Sequence, residues 1–215
     1  MARERQSEWI DVTRTLTNGM IAWPSDPPFE YERISDITGP GTANLSRIAT
    51  GVHIGTHIDA PLHFIPGGAD IVEIPLSQLC GPALVVEMPE PRDIALEDVH
   101  RLRLVEGDRV LFKTANSALW ERGVFDENFF GLSGDAAMWL VEQNVSAVGI
   151  DYLSIDSYRN EAKPAHYALL GNGVIIIESL DLSRVSAGRY EMIALPLKIS
   201  GSEAAPARVI LRPMK

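Results

Sequence analysis

The chain has 215 residues, of which 46% are apolar and 22% are charged, values typical of a chain that buries a core of its own. Its 29 acidic residues outnumber its 19 basic residues and give a formal net charge of −10, which argues against nucleic-acid binding because a phosphate backbone requires clustered Lys and Arg. One cysteine, Cys80, excludes an intramolecular disulfide, and no apolar run approaches the ~18 residues of a membrane span.

The first residues carry charge but lack the apolar segment of a signal peptide. We therefore expect one domain over residues 1–215, located in the cytoplasm, with a small-molecule substrate and neither a nucleic-acid nor a membrane partner.

The N-terminal part consists of short β-like runs separated by turn residues. Residues 8–16 alternate apolar and polar positions, as an edge strand or a half-buried strand does. Residues 23–30 hold three prolines and are predicted to be a loop. Residues 43–59 are predicted to form one or two strands, interrupted by Gly51 and Gly55.

Helices are predicted in the middle of the chain. Residues 82–88 and 108–114 read as strands, and the segment 96–102 between them as a short amphipathic helix with Asp93 as its N-cap. The clearest helix is predicted at residues 133–144, where Ser133 suits the N-cap and apolar residues share one face.

The C-terminal third is again rich in strands. Strands are predicted at residues 146–151, 174–180, 190–199 and 206–213. The polar connection over residues 152–164 is the longest in the chain, and long ordered loops are often functional. Only one βαβ-like unit, residues 109–151, is evident. The pattern predicts a mixed α/β or α+β domain with a curved, largely antiparallel sheet.

Three of the five histidines lie within one short segment, His53 to His63. In an extended chain, His53, His57 and Asp59 share a face, while the intervening apolar residues face the core. A helix would also bring the first two together, but Gly51, Gly55 and Pro61 disfavour one. We expect an extended segment in which Gly55 leaves room for a ligand.

Two imidazoles and a carboxylate form an N/O ligand set that suits Zn²⁺, Mn²⁺, Fe²⁺ or Co²⁺. Such a set is typical of catalytic rather than structural zinc. His63 follows Pro61 and is predicted on the next loop, where it could bind metal or act as a general acid and base. The alternative is a polar strand face of hydrogen-bonded histidines without metal.

A second group lies downstream, where His166 precedes Glu178 by twelve residues. Glu178 ends an apolar run, and a carboxylate there is costly unless it is paired, protonated or bound to metal. Each residue alone suits a surface position, but together they would complete the first group of ligands.

The motif HxGTHxDxPxH at residues 53–63 resembles the hallmark of the cyclase family of metal hydrolases, which includes bacterial kynurenine formamidases (arylformamidases) and isatin hydrolases. The resemblance covers nearly the whole chain. Further matches are Trp23-Pro24, residues 149–151, the spacing of His166 and Glu178, and the segment ALPLKI near the end.

The resemblance implies a swivelling β/β/α fold with a curved, barrel-like mixed sheet and outer helices. It also implies a homodimer or homotetramer, with active-site walls that a neighbouring subunit can supply. The cofactor it implies is one or two divalent metal ions per chain, with zinc preferred and manganese possible. The implied metal ligands are His53, His57, Asp59, His166 and Glu178.

The resemblance further implies that His63 is the proton donor and acceptor and that Trp23 packs against the substrate ring. Thr56 and Ile58 differ from the formamidase subgroup, so the resemblance does not identify the substrate. The first interpretation is arylformamidase action on N-formylkynurenine or a similar N-formyl aryl amide. The second is hydrolysis of another small cyclic amide, lactam or lactone, and the third is a non-catalytic metal- or ligand-binding protein on the same fold.

Overall fold

A closed β-sheet lies at the centre of the chain in this computed structural model, which describes residues 9–214. The strands are β1 (Ile10–Asp11), β2 (Glu30–Ser35), β3 (Leu45–Ala49), β4 (His57–Asp59), β5 (Cys80–Met88), β6 (Arg109–Thr114), β7 (Ala147–Ile150), β8 (Ile175–Glu178), β9 (Gly188–Pro196) and β10 (Ala204–Pro213). The helices are α1 (Leu76–Leu79), α2 (Leu96–Val99), α3 (Gly134–Glu142) and α4 (Pro164–Gly171), with 3₁₀ helices at Pro61–His63 and Ala115–Arg122.

Seven strands form the ring in the order β10, β4, β8, β7, β6, β5 and β9, and β9 then pairs with β10 to close it. β1 pairs with the far part of β10, and β2 with β3 forms a separate antiparallel hairpin. The mixed fold class with a barrel-like sheet is therefore confirmed.

The sheet is more parallel than its sequence pattern indicates. β5, β6, β7 and β8 pair in parallel, and α2, α3 and α4 lie in the three connections between them. The expectation of a single βαβ-like unit is therefore wrong. α2 has four residues and α4 has eight, lengths over which helical periodicity is hard to recognise.

Alternate residues of the parallel strands enter two different cores. On β6, Leu111 belongs to the cluster within the closed sheet, whereas Val110 and Phe112 join the cluster under α2, α3 and α4. On β8, Ile177 faces the first cluster and Ile176 the second. Strands buried on both faces explain the continuous apolar runs in the sequence.

Several local predictions need correction. β1 covers only two residues of the predicted strand 8–16, whose first residue, Glu8, lies outside the described residues. Asp93 is not the N-cap of α2, because that position is Ala95 and Asp93 instead accepts a hydrogen bond from the Gly131 N–H. The Ser133 cap of α3 is confirmed by its hydrogen bond from the Ala136 N–H. Within residues 9–214, no helix is long and apolar enough to cross a membrane.

Candidate metal centre

Neighbouring strands bring three of the proposed ligands together. β4 and β8 pair antiparallel with His57 directly opposite Glu178. Asp59 lies two residues beyond His57 and so projects to the same face, while Ile58 between them enters the core. The His57 Nε2 lies 3.4 Å from an oxygen of Asp59 and 3.4 Å from an oxygen of Glu178.

His53 reaches the same carboxylate from outside the strand. β4 begins only at His57, and Gly55 before it has a left-handed backbone with φ of 55°. The expectation of one extended segment over residues 53–59 is therefore wrong in its first half. The Nδ1 of His53 nevertheless lies 2.9 Å from Oδ1 of Asp59.

The role of Gly55 also differs from the expectation. A Cβ at this residue would lie 2.5 Å from the Cδ2 of Leu16. Glycine is thus required by the positive φ and by packing against Leu16, rather than by space for a ligand. The Gly55 carbonyl lies 2.8 Å from the Nδ1 of His57 and so directs the other ring nitrogen towards the carboxylates.

His166 joins from the first turn of α4, a helix that starts with Pro164 at a position where proline is favourable. Its Nε2 lies 3.3 Å from Oε1 of Glu178 and 3.9 Å from Oδ2 of Asp59. Glu178 therefore faces His57 with one oxygen and His166 with the other. Asp59 faces His53 and His57 with Oδ1 and His166 with Oδ2.

His63 ends the 3₁₀ helix that follows β4 and lies at the edge of this group. Its ring centroid is 4.1 Å from that of His53 and 5.8 Å from that of His166. Candidate ligand atoms lie within 4.8 Å of one another in two sets, His53 with His57 and Asp59, and His63 with His166 and Asp59. The geometry thus permits His63 to be a ligand as well as a proton carrier.

Two of the imidazoles hold protons tightly in the apo chain. Burial disfavours the charged form of His53, but the Asp59 carboxylate outweighs burial and raises the pKa of His53 to about 9. Burial also opposes charge on His166, while hydrogen bonds to Asp156 and Glu178 raise its pKa to about 9. A metal ion would have to displace these protons in order to bind.

The pKa of His57 is also raised, whereas the pKa values of His63 and Asp59 are lowered. Burial lowers the pKa of His63, and the neighbouring imidazoles add to this effect against the attraction of Asp59. Burial alone would raise the pKa of Asp59, but His53 and His57 overcome it and lower that pKa. The site therefore offers ionised carboxylates beside an imidazole that is readily neutral.

The unsatisfied polar atoms fit a metal ion. Among the described residues, both oxygens of Asp59 and the Nε2 of His57 are buried and form no well-oriented hydrogen bond, although imidazole nitrogens lie within ion-pair distance of that carboxylate. Buried polar atoms normally have a partner, so such a group requires an explanation, and a bound ion is one. Imidazole nitrogens and carboxylate oxygens are the donors that a borderline transition metal prefers.

A pocket of about 240 Å³ opens onto this group. Its lining includes Trp23, His53, His63, His166 and Glu178. The Trp23 indole packs edge-on against Phe125 with ring centroids 5.5 Å apart. Because Trp23 also lines the pocket, an aromatic ligand can pack against it.

Several residues at the site were not predicted from the sequence. The Asp156 carboxylate contacts His166, the Ile155 N–H donates to Glu178, and Phe64 stacks on the His166 ring at 4.4 Å. Asp26 and Lys163 also line the pocket. The signal available for this loop was Pro164, which commonly marks the first turn of a helix.

Known proteins share this architecture. Residues 10–157 match the family model described as "Putative cyclase". A kynurenine formamidase of Bacillus thuringiensis (strain Al Hakam) is 31% identical over 98% of this chain and 100% of its own length. A solved structure described as a potential metal-dependent hydrolase with cyclase activity is 42% identical, with a TM-score of 0.82 over 96% of this chain and 98% of that one.

Isatin hydrolase A from Ralstonia solanacearum is 27% identical, with a TM-score of 0.83 over 94% of this chain and 90% of that one. The swivelling β/β/α fold implied by the resemblance is thereby confirmed. Because the family model covers more than half of the chain and a curated relative is matched over its whole length, the chain belongs to the cyclase family of hydrolases.

Proposed function

We propose that this chain is a metal-dependent amidase that hydrolyses an N-formyl aryl amide such as N-formylkynurenine. The observation that carries the proposal is the pair of buried carboxylates beside a pocket with an aromatic wall, of which Asp59 faces three histidines and Glu178 faces two. The similarity to a kynurenine formamidase supports the choice of substrate.

The donors available for one or two divalent ions are His53, His57, Asp59, His166 and Glu178. Zinc is our first expectation and manganese our second, because the set contains nitrogen and oxygen but no sulfur. When bound, such an ion supplies Lewis-acid polarisation and makes water more acidic.

The chain's own groups orient the substrate and move protons. Trp23 holds the aryl ring, and the Nε2 or Nδ1 of His63 accepts a proton from the attacking water and returns it to the leaving nitrogen. The water oxygen bonds to the formyl carbon, the carbon–nitrogen bond breaks, and the products are formate and an aryl amine. The lowered pKa of His63 suits it to accept that proton.

A second candidate is ring opening of a cyclic amide such as isatin, favoured by the similarity to isatin hydrolase A.

We also propose a homodimer or homotetramer. The hairpin formed by β2 and β3 stands apart from the closed sheet and exposes four aliphatic side chains, Ile34, Ile37, Leu45 and Ile48. Grouped exposed apolar residues are typical of protein contact surfaces. Light scattering coupled to size-exclusion chromatography measures the number of chains in the assembly, which we expect to be two or four.

The deciding experiment supplies the purified protein with zinc or manganese and measures formate release from N-formylkynurenine and ring opening of isatin. We expect formate release that EDTA abolishes and that added metal restores. His57→Ala should be inactive, whereas His100→Ala, which removes the only histidine outside the site, should be fully active. Bound metal without turnover of either substrate would support the non-catalytic alternative.

A further inference from the structure

Two opposite charges without ion-pair partners, Asp26 and Lys163, line the same pocket as Trp23. Asp26 follows Trp23 in a turn closed by its own N–H, which donates to the Trp23 carbonyl at 3.0 Å. The Lys163 ammonium lies 5.5 Å from the centroid of the Trp23 ring. Both residues line the pocket that opens onto the histidines.

Neither charge is neutralised by the fold. Among residues 9–214, Asp26 and Lys163 form no ion pair with each other or with any other side chain, and the hydrogen bond that Lys163 donates, to the Ser157 carbonyl, is long at 3.3 Å. Half-buried charges that lack an ion-pair partner in a pocket are available to a ligand that carries the complementary charges.

The backbone of Lys163 is held in an unfavourable conformation. Its φ is 48° and its ψ is 49°, the left-handed region that side chains other than glycine rarely adopt. The next residue is Pro164, and proline further restricts the residue before it. Strain of this kind collects at functional sites, where the side chain is needed in one place.

The strained residue is also joined to the candidate metal centre. Lys163 is the N-cap of α4, the helix that carries His166 in its first turn. Its carbonyl accepts a hydrogen bond from the Tyr167 N–H at 3.2 Å. Helix α4 therefore fixes Lys163 relative to His166, and both residues line the pocket.

We propose that Lys163 and Asp26 determine substrate specificity by binding the carboxylate and the ammonium of an amino-acid substrate whose aryl ring lies against Trp23. This inference rests on the proposed amidase function and narrows it to aryl amides that carry an α-amino-acid group. In a chain with a net charge of −10, a local cation is the element that makes the pocket receptive to a carboxylate.

Binding to the metal-loaded protein tests the proposal without turnover. Titration calorimetry compares L-kynurenine, the amino-acid product of the proposed reaction, with 2-aminoacetophenone, which has the same ring but no amino-acid group. We expect kynurenine to bind about 10–100-fold more tightly, since a charge-assisted hydrogen bond contributes a factor of this size. Lys163→Met should remove most of this preference, and Asp26→Asn should weaken kynurenine binding.

The matched control is Lys198→Met, which removes a charge from an exposed lysine outside this pocket and should leave the preference unchanged. Equal affinity of the wild-type protein for both ligands, or a preference that survives Lys163→Met, would overturn the proposal.

Kinetics separate this proposal from the proposed function. Lys163→Met should raise KM for N-formylkynurenine about 10–100-fold and change KM for formanilide, which lacks the charged group, by less than about twofold. Absence of formate release from both substrates would refute the formamidase function, whereas the calorimetric preference would still decide the role of Lys163.

The Lys163→Gly variant tests whether Lys163 acts only by supporting the structure. Glycine accepts the left-handed backbone without strain, so this variant should melt at the wild-type temperature or above it and still lose the preference for kynurenine. Lower melting temperatures in both lysine variants, with the preference intact, would make Lys163 a packing residue for Trp23 and refute its role in specificity.

Discussion

The Oδ2 atom of Asp156 lies 2.6 Å from the Nδ1 of His166, while the opposite ring nitrogen faces Glu178 at 3.3 Å. The carboxylate also accepts hydrogen bonds from the Ala165 and His166 N–H groups, so it is fixed to the first turn of α4. A carboxylate on one nitrogen sets the tautomer that leaves the other nitrogen free to bind metal.

Asp156→Asn should therefore lower metal affinity by roughly 10–100-fold, the usual effect of losing such a partner. Competition with a chromophoric chelator measures the affinity, and circular dichroism checks that α4 remains folded. Asp135→Asn on α3 is the control and should bind metal normally. Unchanged affinity in Asp156→Asn would mean that Asp156 acts only as a helix cap.

His63→Ala and His57→Ala should separate proton transfer from metal binding. We expect His63→Ala to keep its metal and to lose about 10²–10⁴-fold in kcat, the contribution of a positioned acid and base. His57→Ala should lose metal and activity together. Elemental analysis alongside kcat for both variants checks this. If His63→Ala loses metal as readily, His63 is a ligand, as its place in the second set of donor atoms permits.

Metal binding at neutral pH should release protons. His53 and His166 have pKa values raised to about 9, so both are charged at pH 7 in the apo chain and must lose their protons to coordinate. Affinity should fall as pH decreases below 9 and level off above it. Because the pKa of His57 is raised as well, titration calorimetry in buffers of different ionisation enthalpy should show release of roughly two to three protons. Absence of proton release would contradict the assignment of these two residues as ligands.

Trp23→Ala should weaken the binding of aromatic substrates. The indole contributes about 0.5–1.5 kcal/mol beyond its buried area when it packs against another ring. KM for an N-formyl aryl amide should rise more than KM for a small aliphatic formamide, and metal content should not change. Equal effects on both substrates would indicate that Trp23 instead supports the loop by packing against Phe125 and Tyr158.

The sequence pattern located most strands and the clearest helix because their signals are local. Ser133 caps α3 as predicted, and the apolar run before Glu178 forms β8. The hairpin strand β2 and the helix α4 were missed. The pattern of α4 is dominated by the apolar residues that bury it on several sides, so it has no clear polar face.

The candidate ligands were selected by residue type and spacing, and the structure brings them together. The residues that orient these ligands could not be predicted from the sequence, because Asp156 and Phe64 contact His166 only after separate loops have folded together. The left-handed backbone at Gly55 was also unpredictable from spacing, because a Cβ at this residue would clash with Leu16, a neighbour that only the fold brings close.

The position of β4 between β8 and β10 determines when the centre can exist during synthesis. His57 and Asp59 are synthesised well before β8 and β10, the strands that hydrogen-bond to β4 on its two sides. The first half of the centre must therefore remain solvated and incomplete until β10 has been made. Truncation before Ala204 would prevent metal capture even though it removes none of the candidate ligands.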